Sequence, residues 1–317
     1  MNFSLRSTKL KVCELVIPGS KSESNRLLIL SYLYRNLHIE NISNSDDTNY
    51  LLNAFNSKLN IIDVGHAGTA MRFLVSYFSL TTKKKIELRG SKRMHNRPIK
   101  ILVDSLRDIG ASIRYIEKDG FPPVLIKPSN LISKDLVVDS SNSSQYISSL
   151  LLIAPKISGG LKIKLKGRET SKPYIDMTIG LLKKIGAKII FKENLIKVKE
   201  LQKINPSRFF VESDWSSASY FYSIVALAEV GYSLTLSKFS YNSLQGDSDV
   251  ANIYKSFGVK TIFYEDKITL KKIEFNINEF SLDLTSNPDL AQTICVTCLG
   301  LKIKCNLKGL HTLKIKE

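Results

Sequence analysis

Cysteine is scarce in this chain: Cys13, Cys295, Cys298 and Cys305 are the only four among 317 residues. Thiols so few and so unevenly placed cannot build the disulfide framework of a small secreted domain, so a reduced, cytoplasmic setting is expected. Cys295 and Cys298 form a CxxC, yet no second Cys or His pair stands at ligand spacing, and burial in the apolar stretch Thr293 to Leu301 is the expected use. Histidine is equally thin. His38, His66, His95 and His311 are scattered singly, which leaves no metal motif; no metal and no organic cofactor is expected. Long apolar runs are missing too. Nothing reaches the ~18 uninterrupted apolar residues of a membrane span, and Met1 to Lys11 mixes charge with polarity, unlike a signal peptide. Acidic residues are in deficit, with 29 Asp and Glu against 46 Lys and Arg, a formal net charge of +17. That surplus attracts acidic partners. The lysines lie singly in strand and helix patterns (Lys162, Lys164, Lys166; Lys183, Lys184), not in basic arms, which favours small phosphorylated, carboxylated substrates over nucleic acid.

With 43% hydrophobic and 24% charged residues, the chain has apolar material for about two globular domains. Three segments share an amphipathic helix, a glycine turn and a strand: Ile101 to Ile116, Thr178 to Phe191, and Val250 to Phe263. Their glycines, Gly110, Gly186 and Gly258, lie 76 and 72 residues apart. A second series of helices, opening on small polar residues, starts near Thr69, Ser144, Ser217 and Asp289, at steps of 75, 73 and 72. Lys21 opens an earlier member at a shorter step. Period-two strands lie between, such as Leu161 to Lys166 and Ser233 to Ser237. The expected fold class is therefore α/β: repeated βαβαββ units in two lobes. Continuing the step places the next glycine turn near position ~331, so one unit of about 70 to 110 residues is expected to be missing after Glu317.

Helix N-termini carry unpaired N–H groups and the positive dipole end, so several facing one cleft would hold anions. Taken alone, each Ser, Thr or Asp at such a start is an ordinary cap. One start carries more. In Gly19-Ser20-Lys21-Ser22, followed by Asn25-Arg26, a turn delivers an ammonium, a hydroxyl and, one helical turn on, a guanidinium. No Walker spacing accompanies it, which argues against a nucleoside triphosphate.

Nine motifs in order carry a family resemblance: Pro18-Gly19-Ser20-Lys21-Ser22 with Asn25-Arg26; Ala67-Gly68-Thr69-Ala70-Met71-Arg72; Arg93 to Ile99; Ser143-Ser144-Gln145; Ser171-Lys172-Pro173-Tyr174; Ser213 to Phe221; Gln245-Gly246-Asp247; Pro288 to Ile294; and Leu313 to Glu317. Over nearly its whole length the chain resembles the 5-enolpyruvylshikimate-3-phosphate synthase family of enolpyruvyl transferases. The resemblance implies an inside-out α/β barrel of two lobes, residues 19–210 complete and residues 1–18 plus 211–317 incomplete at the C-terminal end. It also implies transfer of the enolpyruvyl group of phosphoenolpyruvate to the 5-hydroxyl of shikimate 3-phosphate, in a cytoplasmic monomer that binds neither membrane nor nucleic acid.

Carried over residue by residue, Lys21 would contact both substrates, while Ser22 and Arg26 would hold the shikimate ring and carboxylate. Ser143, Ser144 and Ser171 would take the 3-phosphate, with Gln145 reaching both substrates and Tyr174 beside the ring. Gly68 and Arg97 would hold phosphoenolpyruvate, and Thr312 and Lys316 would lie near it. Asp289 would accept the hydroxyl proton, and Glu317 with Lys316 would serve proton transfer at the methylene carbon and its surroundings. His66, Phe73 and Thr312 depart from the residues usual at these places. Two alternatives stand beside this reading: a fragment that binds shikimate 3-phosphate with little or no transfer, and a UDP-N-acetylglucosamine enolpyruvyl transferase.

Overall fold

The computed structural model describes residues 13–141, 143–167, 171–310 and 313. Chain order opens with β1 (Glu14–Val16), α1 (Lys21–Leu33), β2 (Leu37–Glu40), α2 (Asp46–Asn56), β3 (Ile61–Asp63), α3 (Gly68–Thr81) and β4 (Ile86–Arg89). It continues with α4 (Lys100–Asp108), β5 (Ser112–Tyr115), β6 (Val124–Lys127), β7 (Asp135–Asp139), α5 (Ser144–Ile153), β8 (Leu161–Lys166), α6 (Lys172–Lys184), β9 (Ile189–Lys192) and β10 (Leu195–Val198). The last stretch holds β11 (Ser207–Phe210), α7 (Trp215–Ala226), β12 (Ser233–Ser237), α8 (Val250–Ile253), β13 (Val259–Phe263), β14 (Lys267–Lys272), β15 (Glu279–Asp283), α9 (Ala291–Gly300) and β16 (Lys304–Lys308).

The repeat is visible in the sheets. Three four-stranded sheets have one plan, β3-β4-β6-β5, β7-β8-β10-β9 and β1-β12-β14-β13, each a parallel pair extended by an antiparallel hairpin. Gly110, Gly186 and Gly258 each hold a left-handed backbone, at φ 102°, 96° and 73°, where a helix hands over to the first strand of a hairpin. That conformation is strained for any residue with a Cβ, which explains why glycine marks the period.

Two parallel pairs, β11 with β2 and β15 with β16, carry no hairpin among the described residues. For the β11–β2 unit the reason lies in chain length: only residues 57–60 join α2 to β3, whereas residues 109–134, with the hairpin β5–β6, join α4 to β7. The shorter step after Lys21 is this missing hairpin.

Side chains bury in two separate clusters. One runs from Leu27 to Val211, the other from Ile17 and Trp215 to Ile303. The chain passes between them twice, and the two crossings pair with each other. Gly19 bridges Ser213, Ser20 N donates to Glu212 O at 2.8 Å, and Asp214 N donates to Pro18 O at 3.1 Å. A Cβ on Gly19 would sit 1.8 Å from Asn41 O, so only glycine lets the first crossing lie this close to the backbone after β2. No helix of the described residues is long and apolar enough to cross a membrane.

Candidate active site

Where the crossings meet, helix starts from both clusters surround a cleft of about 560 Å³. Three of the helix starts carry side-chain caps, Ser20 accepting from Glu23 N, Ser143 from Gln145 N and Asp214 from Ser217 N, whereas α3 and α9 start after Ala67 and Leu290 without one. Lys21, Ser22, Gly68, Arg97 and Gln145 line the cleft from the side of the first cluster, Asp214, Ser216 and Asp289 from the other. Lys21 also donates its backbone N–H to Asp214 Oδ2 at 3.1 Å, which ties the start of α1 to the cap of α7.

Arg97 lies against the start of α3. A Cβ on Gly68 would come within 2.4 to 2.8 Å of its guanidinium, so glycine is what admits the cation there. Burial, reinforced by the charge of Arg72, brings the Arg97 guanidinium down to about 10, with Asp47 opposing. Arg72 is itself buried and donates to Gly68 O at 2.8 Å. Both Arg72 Nε and Arg97 Nε are buried donors without a hydrogen-bond partner among the described residues. Two crowded cations at a helix N-terminus, with donors to spare, suit an anion.

On the other side of the cleft Asp289 accepts from Tyr174 Oη at 2.8 Å, the tyrosine itself lying behind the lining residues. Burial holds this phenol well above its usual range, and the charges of Asp247 and Asp289 add to the effect. Asp289 sits in the 3-10 turn Pro288–Leu290 just before α9. Gln145 Nε2 donates to Thr69 Oγ1 at 3.2 Å, which links the starts of α5 and α3.

Other expected residues stand back from the cleft wall. Arg26 is buried and occupied: it donates to Thr178 Oγ1 at 2.7 Å, Ser22 O at 2.8 Å, Ser148 Oγ at 3.1 Å and Tyr174 O at 3.2 Å. Desolvation brings its guanidinium down to about 10. Ser144 and Ser171 are each 5% exposed, and Ser171 holds a left-handed backbone at φ 53° while donating to Thr285 O at 3.2 Å. Thr312, Lys316 and Glu317 lie outside the described residues. Sequence reasoning passed over Asp47, which accepts from Thr69 N at 3.2 Å, and Asp214; the only signal for either is its place next to a helix start.

The family model described as EPSP synthase (3-phosphoshikimate 1-carboxyvinyltransferase) matches residues 53–317. A 3-phosphoshikimate 1-carboxyvinyltransferase of Bacteroides fragilis (strain YCH46) is 40% identical over 302 residues, covering 95% of this chain and 73% of that protein. This chain belongs to the EPSP synthase family. The enzyme of the same name from Buchnera aphidicola subsp. Baizongia pistaciae is 37% identical over 330 residues, 95% of this chain and 76% of that one. A 2.37 Å structure of EPSP synthase from Acinetobacter baumannii superposes with a TM-score of 0.65 at 16% identity, covering 96% of this chain and 93% of that chain. The mixed α/β fold expected from the repeat is thus the fold of that EPSP synthase.

Proposed function

We propose that the cleft is where the chain transfers the enolpyruvyl group of phosphoenolpyruvate to the 5-hydroxyl of shikimate 3-phosphate, the reaction of its family. One observation carries the reading: the cationic groups Lys21 and Arg97 and the carboxylate of Asp289 share one cleft between two cores. Two polyanions must be gathered, a hydroxyl proton removed, and a developing negative charge stabilised. Lys21 and Arg97, with the helix starts of α1, α3 and α5, supply the cationic part. Asp289 takes the hydroxyl proton as the 5-oxygen bonds to C2 of phosphoenolpyruvate, and C3 is protonated. In the second half C3 loses a proton, the C2–phosphate bond breaks and phosphate leaves. Thr312, Lys316 and Glu317 complete the set in this reading.

Buried Arg26 serves the acceptor side by holding Ser22 and the carbonyl of Tyr174 in place, with Ser143, Ser144 and Ser171 at the phosphate. In this reading residues 19–210 make one lobe and residues 1–18 with 211–317 the other; the separate burial of Leu27 to Val211 and of Ile17 with Trp215 to Ile303 supports two lobes, with Val211 on the first one's side. The scarcity of cysteine and the lack of a long apolar run support a cytoplasmic setting.

Phosphate release from phosphoenolpyruvate, followed with each acceptor in turn, tests the proposal. Release that requires shikimate 3-phosphate is expected. Release that requires UDP-N-acetylglucosamine instead would overturn it.

A further inference from the structure

Beneath Asp289 lies a second carboxylate that the chemistry above does not use. Asp247, in the 3-10 turn Gly246–Asp249, is 4% exposed. One of its oxygens meets the Ser216 hydroxyl in the first turn of α7, and the other accepts from Asn287 Nδ2 at 3.4 Å. Asn287 directly precedes the turn that carries Asp289. The same turn also touches α6: a Cβ on Gly246 would lie 2.3 Å from Cβ of Pro173, the neighbour of Tyr174. Asp247 therefore stands where the elements bearing Ser216, Asp289 and Tyr174 converge.

We propose that Asp247 is a positioning residue of the transfer reaction, which, by bracing Ser216 and Asn287, sets where Asp289 and the Tyr174 hydroxyl meet the acceptor. This rests on the reading of Asp289 as the group facing the 5-hydroxyl. The groups that face Asp247 are the Ser216 hydroxyl, the Asn287 amide, the carboxylates of Asp289 and Asp214, and the phenol of Tyr174. Burial, then the charge of Asp289, pushes its carboxyl up to about 7, while the Ser216 and Asn287 hydrogen bonds pull the other way. In the structure Ser216 Oγ donates to one oxygen and Asn287 Nδ2 to the other; protonation of the first oxygen requires the Ser216 hydroxyl to turn and accept. Asparagine reproduces that pattern, with its oxygen towards Asn287 and its NH₂ towards Ser216, but cannot ionise.

The test uses the whole chain labelled with 13Cζ-tyrosine, the Tyr174 resonance being assigned with Tyr174→Phe. It is titrated from about pH 5.5 to about pH 8.5, alongside calorimetry with shikimate 3-phosphate. In the unaltered protein the Tyr174 signal should inflect near about 7, and the inflection should vanish in Asp247→Asn. Asp247→Ala should weaken shikimate 3-phosphate by roughly tenfold and Asp247→Asn by less than about threefold, since only asparagine restores the bracing. If the alanine variant does not fold, the asparagine titration decides alone. A Tyr174 signal flat in the unaltered protein, an inflection that survives in Asp247→Asn, or full affinity in Asp247→Ala overturns the proposal. Failure of the underlying reading looks different: Asp289→Asn would then leave phosphate release at saturating substrates near normal, although the Tyr174 resonance, bonded to Asp289, still shifts.

Discussion

At the scale of single residues, identity and order in the motifs announced the chemistry, but burial did not follow from them. Lys21 and Arg26 stand one helical turn and a half apart and read alike as anion contacts, yet Lys21 is exposed on the cleft while Arg26 is consumed by Thr178 and Ser148, which only the fold brings near. Gly68 shows the opposite case, a residue whose importance is what it lacks. In Gly68→Ala the new methyl meets the end of the Arg97 side chain, not backbone, so the helix persists and the guanidinium is displaced. KM for phosphoenolpyruvate should rise about tenfold, with the melting temperature within about 3 °C of the parent. Steady-state kinetics and a thermal melt check both; an unchanged KM would show that Arg97 does not hold this substrate. For Lys21→Ala the loss is of charge, and turnover should fall by roughly a hundredfold or more. A phosphate-release assay at saturating substrates reads it, and near-normal turnover would mark Lys21 as a surface lysine.

Among the elements, the repeat was legible because its punctuation is glycine in a left-handed turn, a conformation that a periodic sequence cannot hide. The absent hairpin after α2 was readable only as a short step, since a deletion leaves no residues to interpret. The pairing of the two crossings was not legible at all. Glu23, on the first turn of α1, and Glu212, on the second crossing, lie far apart in sequence but line one pocket of about 220 Å³ with Lys184 and Lys238. Burial, then the charge of Glu212, pushes the Glu23 carboxyl up to about 7. Folding therefore takes up a proton that the unfolded chain, with an ordinary carboxylate near 4.5, releases. The contribution is fully present below about pH 4.5 and is lost as pH rises through about 7, on the order of 3 kcal/mol in all. Urea unfolding from pH 5 to pH 8, at about unit steps, should show stability falling with pH, and Glu23→Gln should flatten that fall. Equal slopes in both proteins would mean that Glu23 is ionised throughout.

For the molecule as a whole, two cores joined by two paired crossings raise the question of whether they unfold together. The cluster that contains Trp215 is the smaller one, and its helices leave large apolar side chains in solvent: Tyr220 on α7 is 62% exposed, and Val296 and Leu299 on α9 are 59% and 78% exposed. Less burial per residue ordered means lower local stability. Because the chain has one tryptophan, and it is fully buried against Phe239 in this cluster, its emission reports that core alone, whereas far-UV circular dichroism reports both. In a urea titration the Trp215 transition should precede the dichroism midpoint by roughly 1 M. If shikimate 3-phosphate meets Asp289 of one lobe and Ser143, Ser144 and Ser171 of the other, as proposed, its binding at saturation requires both cores folded and should draw the two transitions together. Coincident curves without ligand would show that the paired crossings make the two cores one cooperative unit.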